Sequence, residues 1–155
     1  MRGQISATHI RSQLDQVIDP SDEIVVIFGG VWMFGSKLGV VPNEVPSYLT
    51  RVILDHLGPS RTVLFPTFTY GYAKTRKYDV VLTPSETGIL TEVATQSGLF
   101  QRTNSPLNSY VVCGPRSDEV LGIRDETLWG SSSVMGWCER SNARICMLGE
   151  PWENA

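Results

Sequence analysis

The sequence predicts an α/β protein, a layered α/β/α domain whose central sheet is largely parallel or mixed. Runs with helical spacing of apolar residues alternate along the chain with short β-rich runs, and this alternation favours layered α/β folds. The candidate strands, for example EIVVIF at residues 23–28, are continuous β-rich runs without polar alternation, which is typical of strands covered on both faces. Glycine and proline separate the runs. The pattern leaves the order of the strands in the sheet open.

Length and charge narrow the range of functions. A chain of 155 residues can bury roughly 68–70% of its unfolded surface around one core, so we expect residues 1–155 to form a single domain. The formal net charge of -3 leaves no excess of lysine and arginine to neutralise phosphates. We therefore expect neither a nucleic acid nor a membrane as a partner.

The apolar runs and the cysteines of the sequence indicate the cellular location of the protein. The longest apolar run, IVVIFGGVWMFG, has twelve residues, whereas a membrane-spanning helix needs about twenty. We therefore expect this run to lie in the core or at a site. The N-terminal segment is too polar for a secretory signal. Cys113, Cys138 and Cys146 fit no paired framework and lie among apolar residues, which predicts a reducing, cytoplasmic location. No CxxC pair or histidine-rich spacing indicates a metal, so none is expected.

The first half of the chain contains two predicted helices and two predicted strands. Ile10, Leu14 and Val17 recur at helical spacing, and Pro20 prevents the helix from continuing past about Asp19. The remaining elements are a strand at 23–28 that ends at Gly29 and Gly30, a helix from about Asn43 to Leu57, and a strand at 62–65.

A further helix is predicted to begin at Thr83. Its signals are a capping hydroxyl at Thr83, proline at the first helical position, and Glu86 placed to reach back to the cap, with Gly98 as its end. The remaining predicted elements are short strands at 109–114 and 143–149 and serine-capped helical turns at 117–122 and 131–141.

The connection from Pro66 to Gly88 is longer than most loops of compact domains. It has twenty-three residues, and loops of this length are generally functional or disordered. Its four aromatic residues argue against disorder, and its bases place positive charge near its middle. Ligands of α/β sheets bind outside the carboxyl ends of strands, where this connection starts. A purely structural cover over the sheet edge is the alternative.

The glycines after the first strand also suggest a ligand. Gly29 and Gly30 allow backbone amides to approach a ligand closely, as phosphate-binding and carbonyl-binding loops require. The segment FGGVWMFG matches neither a GxGxxG nor a Walker pattern, however. A simple turn is the alternative.

Four motifs occur in a fixed order between about Glu23 and Gly149. They are FPTFTYGY at a strand exit, YDVVLTPSETGILTE with its Thr-Pro-Ser and Gly-x-Leu-x-Glu, QRTNSPLNSYVVCG with its Arg-Thr-x-x-Pro-x-x-Ser, and WGSSSVMGWCERSNARICMLG with its Gly-x-x-Ser helix and a strand ending in Leu-Gly. Together they resemble the aminoglycoside 3-N-acetyltransferases and their relatives from polysaccharide and antibiotic gene clusters.

This resemblance implies an enzyme that moves an acetyl group from acetyl-CoA onto an amine of an aminoglycoside or amino sugar, as in antibiotic resistance. It also implies where the coenzyme is held: by the loop after the first strand, the Pro-Thr-Phe-Thr exit and the arginine-serine segment. The matching candidates are Gly29, Gly30, Val31, Thr67, Thr83, Ser85, Arg102, Thr103 and Ser109. An arginine and several hydroxyls suit a pyrophosphate and a pantetheine amide. For Thr83, helix capping is the favoured alternative.

The sequence departs from the family at the catalytic base. The family uses a histidine, oriented by a glutamate, shortly after the strand that ends in Leu-Gly, here Leu148 and Gly149. The sequence ends six residues later, so we expect a domain truncated at its C-terminus and without the usual base. Phe28-Gly29-Gly30 also replaces the common His-Ser-Ser, and Ser105 and Asn108 stand where many members have histidine, which leaves the acceptor open.

Other residues are weaker candidates for the base. His56 lies near the C-terminus of a predicted helix, where a structural role is expected, and His9 is expected at the surface. Asp79 and Glu86 can accept a proton only if desolvation raises their pKa. A thiol hydrolase using Cys113 or Cys146 is disfavoured, because both lie inside apolar strand runs.

Two functions therefore remain. The first is an acetyl-CoA-dependent N-acetyltransferase whose base comes from elsewhere, for example from a partner subunit. The second is a catalytically silent domain that binds an acyl-CoA or another protein. An unpaired sheet edge after ARICML predicts a homodimer in either case.

Overall fold

The computed structural model describes residues 4–32, 34–125 and 127–149. The helices and strands are α1 (Ala7–Val17), β1 (Ile24–Gly29), α2 (Val45–Leu57), β2 (Thr62–Pro66), α3 (Tyr72–Thr75), α4 (Ile89–Gln96), β3 (Gln101–Arg102), β4 (Tyr110–Cys113), α5 (Ser117–Leu121), α6 (Val134–Arg140) and β5 (Arg144–Leu148). Two 3-10 turns, Gly35–Leu38 and Pro42–Glu44, lie between β1 and α2.

The described strands form one mixed sheet in the order β3-β4-β2-β1-β5. β1 pairs in parallel with both β2 and β5, and β4 pairs antiparallel with β2 and β3. The predicted α/β class with a mixed sheet is thereby confirmed. The carboxyl ends of β1, β2 and β5 meet at one edge, where ligands of parallel sheets commonly bind.

Each face of the sheet is covered by helices. On one face, Val25 and Ile27 of β1 pack with the apolar residues of α1, α2 and α4. On the other face, Ile24 and Val26 pack with Val120 of α5 and with residues of α6. Because neighbouring side chains of a strand point to opposite faces, a strand covered on both sides must be apolar throughout. This explains the unbroken apolar run IVVIF at residues 24–28.

The predicted elements agree with the structure except between Thr83 and Gly88. The helix expected to begin at Thr83 begins at Ile89, and the capping-box interpretation is wrong. The Thr83 hydroxyl accepts a hydrogen bond from the Asp79 amide at 2.7 Å, and Glu86 Oε1 accepts one from the Gly71 amide at 2.9 Å. Gly88, at φ 113°, is the N-cap residue of α4. Thr83 and Glu86, which the sequence suggested as capping residues, therefore make hydrogen bonds within the loop and do not cap a helix.

The helices are short, and α2 has 13 residues. Within the described ranges, none combines the length and the apolar character that crossing a membrane requires.

Replacing Gly114 should destabilise the sheet strongly. Gly114 follows β4 at φ 117°, and a Cβ there would collide with the Arg61 carbonyl oxygen and lie 2.6 Å from Thr62 Cα. Backbone strain and overpacking together predict that Gly114→Ala lowers the free energy of unfolding by roughly 2–4 kcal/mol. The control is Gly58→Ala, at φ 73° with open space around the added carbon, which should cost about 1–2 kcal/mol. Equal losses in urea denaturation would contradict the packing argument.

Candidate functional site

The loop after β1 is held at the carboxyl edge of the sheet. Gly29, Gly30 and Val31 are half-buried, and the Gly30 amide donates to the carbonyl of Leu148, the last residue of β5, at 2.9 Å. Val31 packs against the core on the α1 and α2 side. A hydrogen bond therefore holds this loop at the end of β5, the parallel neighbour of β1.

The N-terminus of α4 faces this loop. A Cβ added to Gly29 would lie 2.8 Å from Leu90 Cδ2, so the loop and the first turn of α4 are in close contact. The N-cap residue, Gly88, has no side chain to cap the first amides. Free amides and the helix dipole together favour an anion. We call Gly29–Val31 and the first turn of α4 the cradle.

Three hydroxyls line the entry to α4. Ser85 Oγ lies 2.9 Å from Thr87 Oγ1 and 2.7 Å from Thr91 Oγ1. Thr87 donates to the Pro66 carbonyl at 2.5 Å and Thr91 to the Gly88 carbonyl at 2.8 Å. A hydroxyl has one proton, and these two are used by carbonyls, so Ser85 donates to one of the threonines. Each of the three hydroxyls therefore has a hydrogen-bond partner within the protein.

Arg102 lies below the long connection and joins several elements. Its Nε donates to Thr67 Oγ1 at 3.2 Å and to Ser109 Oγ at 3.1 Å, Nη2 donates to the Thr67 carbonyl at 2.7 Å, and Nη1 donates to the Thr83 carbonyl. The guanidinium lies 5.3 Å from the centre of the Tyr78 ring, and burial lowers the pKa of Arg102. The guanidinium therefore ties β3 to the end of β2 and to the connection.

The predicted site residues thus fall into two groups. The loop glycines, Val31 and Ser85 belong to the cradle or its border. Thr67, Thr103 and Ser109 are at most 1% exposed, and Thr103 Oγ1 accepts from the Tyr110 amide at 2.9 Å. The hydroxyls of Thr67 and Ser109 hold Arg102, while their direct contact with a coenzyme stays a prediction.

Comparisons with known proteins decide the family. The family model described as aminoglycoside 3-N-acetyltransferase matches residues 36–155. The chain belongs to this family. The comparison with curated protein sequences gave no match.

Several solved structures, including aminoglycoside acetyltransferases, share the fold. The chain superposes with a TM-score of 0.79 on apo aminoglycoside acetyltransferase AAC(3)-IVa, at 15% identity over 97% of this chain and 57% of that chain. For AAC-IIIb with CoASH the TM-score is 0.75, at 18% identity over 96% and 61%. For the YokD protein from Bacillus subtilis it is 0.81, at 15% identity over 100% and 64%. The chain spans less than two thirds of each of these structures.

Sequence reasoning missed four side chains at the candidate site. Tyr78 stacks on Arg102 and donates from its hydroxyl to the Thr103 carbonyl at 2.9 Å. Glu92 Oε2 accepts from the Ser85 amide at 2.7 Å. Thr87 and Thr91 are four residues apart, a spacing at which two side chains can touch at the start of a helix, so the sequence did contain an indication of their contact. The contact of Tyr78 with Arg102 had no signal in the sequence.

The two histidines of this family member lie on α1 and α2, and His9 lines a cavity with Leu148 and Gly149 at the end of β5. His56 Nε2 lies 2.8 Å from Asp15 Oδ1 and so links α2 to α1, in agreement with the structural role expected for it. His9 is exposed on α1.

The carboxylates considered as bases are solvated. Two amide donors, Leu82 and Val81, outweigh desolvation and hold the pKa of exposed Asp79 below its usual range, so the raised pKa that a base at this position requires is not met. Glu86 is also exposed and is bonded to the Gly71 amide.

The thiols are not suited to nucleophilic catalysis. Burial raises the pKa of Cys113 and of Cys146 to about 11 and that of Cys138 to about 12. A thiol with such a pKa is protonated at neutral pH and is a poor nucleophile. In the described part of the chain, His, Cys, Asp and Glu side chains form no group of three or more that can hold a metal ion.

Loss of the Arg102 guanidinium should destabilise the fold. In Arg102→Met the half-buried Thr83 carbonyl and the buried Thr67 carbonyl each lose a donor, and a carbonyl that loses its partner away from water costs about 1–3 kcal/mol. Urea denaturation should show a loss of that size. The control is Arg124→Met, which changes an exposed arginine and should shift the free energy of unfolding by about 0.5 kcal/mol or less. Equal effects of the two variants would show that the Arg102 contacts contribute nothing.

The buried thiols should make stability fall at alkaline pH. Their pKa rises from an ordinary 9.0 to about 11 or 12 in the folded chain. A raised folded pKa contributes stability that is complete below about pH 9 and is lost as pH rises towards the folded value. Urea denaturation between pH 8 and pH 11 should show this fall. Cys138→Ala removes one thiol, so its curve should fall less steeply; a parallel curve would contradict the assignment.

Proposed function

We propose that this chain is an acetyl-CoA-dependent N-acetyltransferase homologue that acts on an amino group of an aminoglycoside or amino sugar. The cradle is the observation that carries the proposal. It places the loop glycines against the N-terminus of α4, in a family member. The acceptors named for solved relatives, sisomicin and apramycin, belong to those proteins and support only the general class.

In this proposal the coenzyme phosphates lie at the first turn of α4. Backbone amides and the helix dipole stabilise negative charge there without a lysine. The Gly29 and Gly30 amides border the acyl end, with Val31 and Ser85 beside them. Thr67, Thr83, Arg102, Thr103 and Ser109 form the floor beneath the coenzyme. One solved relative, AAC-IIIb, was determined with CoASH. No metal takes part in the proposed reaction.

The proposed reaction is acyl transfer. The acceptor nitrogen attacks the thioester carbonyl carbon, the carbon–sulfur bond breaks, CoA leaves as the thiol, and the nitrogen loses a proton. Because most free amines are protonated at neutral pH, a positioned base must accept that proton. His56 is paired with Asp15 of α1, and His9 is an exposed residue of α1. We propose that the base comes from outside residues 4–149, for example from a partner subunit.

A second candidate is a silent domain that binds an acyl-CoA or another protein. The pairing of His56 with Asp15 favours it, as do the glycines at positions 29 and 30, where the resemblance implies hydroxyl side chains. This candidate predicts coenzyme binding without acyl transfer.

We also propose that residues 1–155 act as one domain in a cytoplasmic homodimer. β5 is an outer strand of the described sheet, and an outer strand presents unpaired backbone groups that self-association can cover. The free thiols suit a reducing compartment. Light scattering at micromolar concentration distinguishes a dimer from a monomer.

A charge placed at α4 tests the coenzyme site. Ile89 is 52% exposed in the first turn, and aspartate there favours the helix by about 0.3–1 kcal/mol while repelling phosphates. Ile89→Asp should weaken acetyl-CoA binding roughly tenfold in calorimetry without lowering the melting temperature. Ile89→Asn, the neutral control, should have a smaller effect.

Thiol release separates the two candidates. With acetyl-CoA and an amino sugar or aminoglycoside, thiol release above background supports the transferase. Coenzyme binding without release supports the silent domain. If acetyl-CoA does not bind, or if Ile89→Asp and Ile89→Asn bind it equally, the placement of the coenzyme at α4 is wrong.

A further inference from the structure

The cavity beside His9 is an apolar groove between α1 and β5. Its volume is about 270 Å³, and its walls include Leu14 and Val17 of α1, Ile27 of β1 and Cys146 of β5. Val17 is 54% exposed although its side chain is apolar. A groove of this kind beside an outer strand is a surface on which a further polypeptide can pack.

The hydrogen bonds of β5 show which of its residues face outward. The Leu148 carbonyl accepts from the Gly30 amide at 2.9 Å, so the backbone of Leu148 bonds towards β1. The backbone groups of successive residues in a strand point to opposite edges, so Cys146 also bonds towards β1, whereas Ile145 and Met147 direct their amides and carbonyls outward. In the described sheet β5 is an outer strand, and a second strand can pair these outward groups.

The outward-facing residues fix the register of a symmetric antiparallel pair, in which one residue lies opposite its own copy. A centre at Ile145 would require the Ala143 amide, which already donates to a carbonyl of α6 at 2.8 Å. A centre at Met147 would require Gly149, which is at φ 70° and so is not extended. A centre at Cys146 pairs Ile145 with the partner's Met147 and uses only residues of β5.

The side chains at this centre suit a meeting of two identical copies. The two Cα atoms there would be about 4.5 Å apart, and Cys146 has the smallest side chain of the RICML strand. Arg144, the charged residue of β5, is neutralised by Asp22, whose Oδ2 lies 2.7 Å from Arg144 Nε. The α1 residues that line the groove carry no carboxylate, lysine or arginine; they are His9, Ile10, Gln13, Leu14 and Val17.

We infer that a second copy of this chain pairs its β5 antiparallel with β5 across a two-fold axis at Cys146, and that the α1 helices of the two copies cover the groove. The inference rests on the homodimer of the proposed function and specifies its interface. A small ligand in the groove would leave the outward backbone groups of β5 unpaired. A second copy supplies a strand for these groups and an uncharged helix for the groove.

Oxidative cross-linking of the whole chain tests the register. Two cysteines opposite each other at about 4.5 Å lie inside the Cα range of a disulfide, about 4.4–6.8 Å. Oxidation catalysed by copper phenanthroline, followed by peptide mass spectrometry, should give a covalent dimer linked through Cys146. The free thiols of Cys113 and Cys138 are internal controls and should form no link. A dimer in solution without a link at Cys146 overturns the inference and leaves the homodimer itself supported.

A charge in the groove tests the part played by α1. Gln13 is exposed and lines the groove between His9 and Val17, so Gln13→Glu would bring two carboxylates near the axis. The dissociation constant of the dimer, measured by analytical ultracentrifugation, should rise about fivefold or more at low salt and recover at high salt. Gln16→Glu, which places the same charge on an exposed α1 residue outside the groove, should leave it unchanged. Equal dissociation constants for the two variants would overturn the inference.

Hydrogen exchange and acetyl-CoA titration separate the remaining outcomes. In the dimer the amides of Ile145 and Met147 should exchange more slowly than after dilution to the monomer. A chain that stays monomeric overturns the inference together with the homodimer; protected amides then show that another part of the chain covers β5. Acetyl-CoA binding and thiol release by that monomer would leave the proposed transferase supported. A dimer linked through Cys146 that does not bind acetyl-CoA supports this interface and overturns the proposed function.

Discussion

The contacts of Arg102 hold together the parts of the chain that form the site. Its guanidinium donates to carbonyls at the end of β2 and in the long connection, and its Nε faces the hydroxyls of Thr67 and Ser109. A buried carbonyl without a donor is costly, so the connection stays next to the sheet while this side chain is present. The connection is thus an ordered wall over the sheet edge, and the hydroxyls around Arg102 are primarily structural.

The topology of the sheet places two clefts at neighbouring points. The parallel strands β5, β1 and β2 bring their carboxyl ends together, which produces the cradle between the loop glycines and α4. The antiparallel pairing of β2 with β4 brings the segment before β4 back to the same edge, where it lines a second cleft.

Sequence periodicity predicted most of the fold because α1, β1 and α2 have long, regular apolar patterns. It failed at Thr83 because the capping signals were local, whereas the groups that satisfy Thr83 and Glu86 are Asp79 and Gly71. β3 has two residues, too few for any period. Resemblance identified candidate site residues, but not which hydroxyls are buried. That depends on strand pairing across 42 residues, as between Thr67 and Ser109.

The close approach of Gly29 to Leu90 restricts how this loop can vary. One added carbon at position 29 would lie 2.8 Å from Leu90 Cδ2, so a serine there requires the Leu90 side chain to shift or to be replaced by a smaller one. The two positions therefore form a coupled pair, and a hydroxyl introduced into the loop changes the packing of α4. Engineering of the loop should treat both as a single design unit.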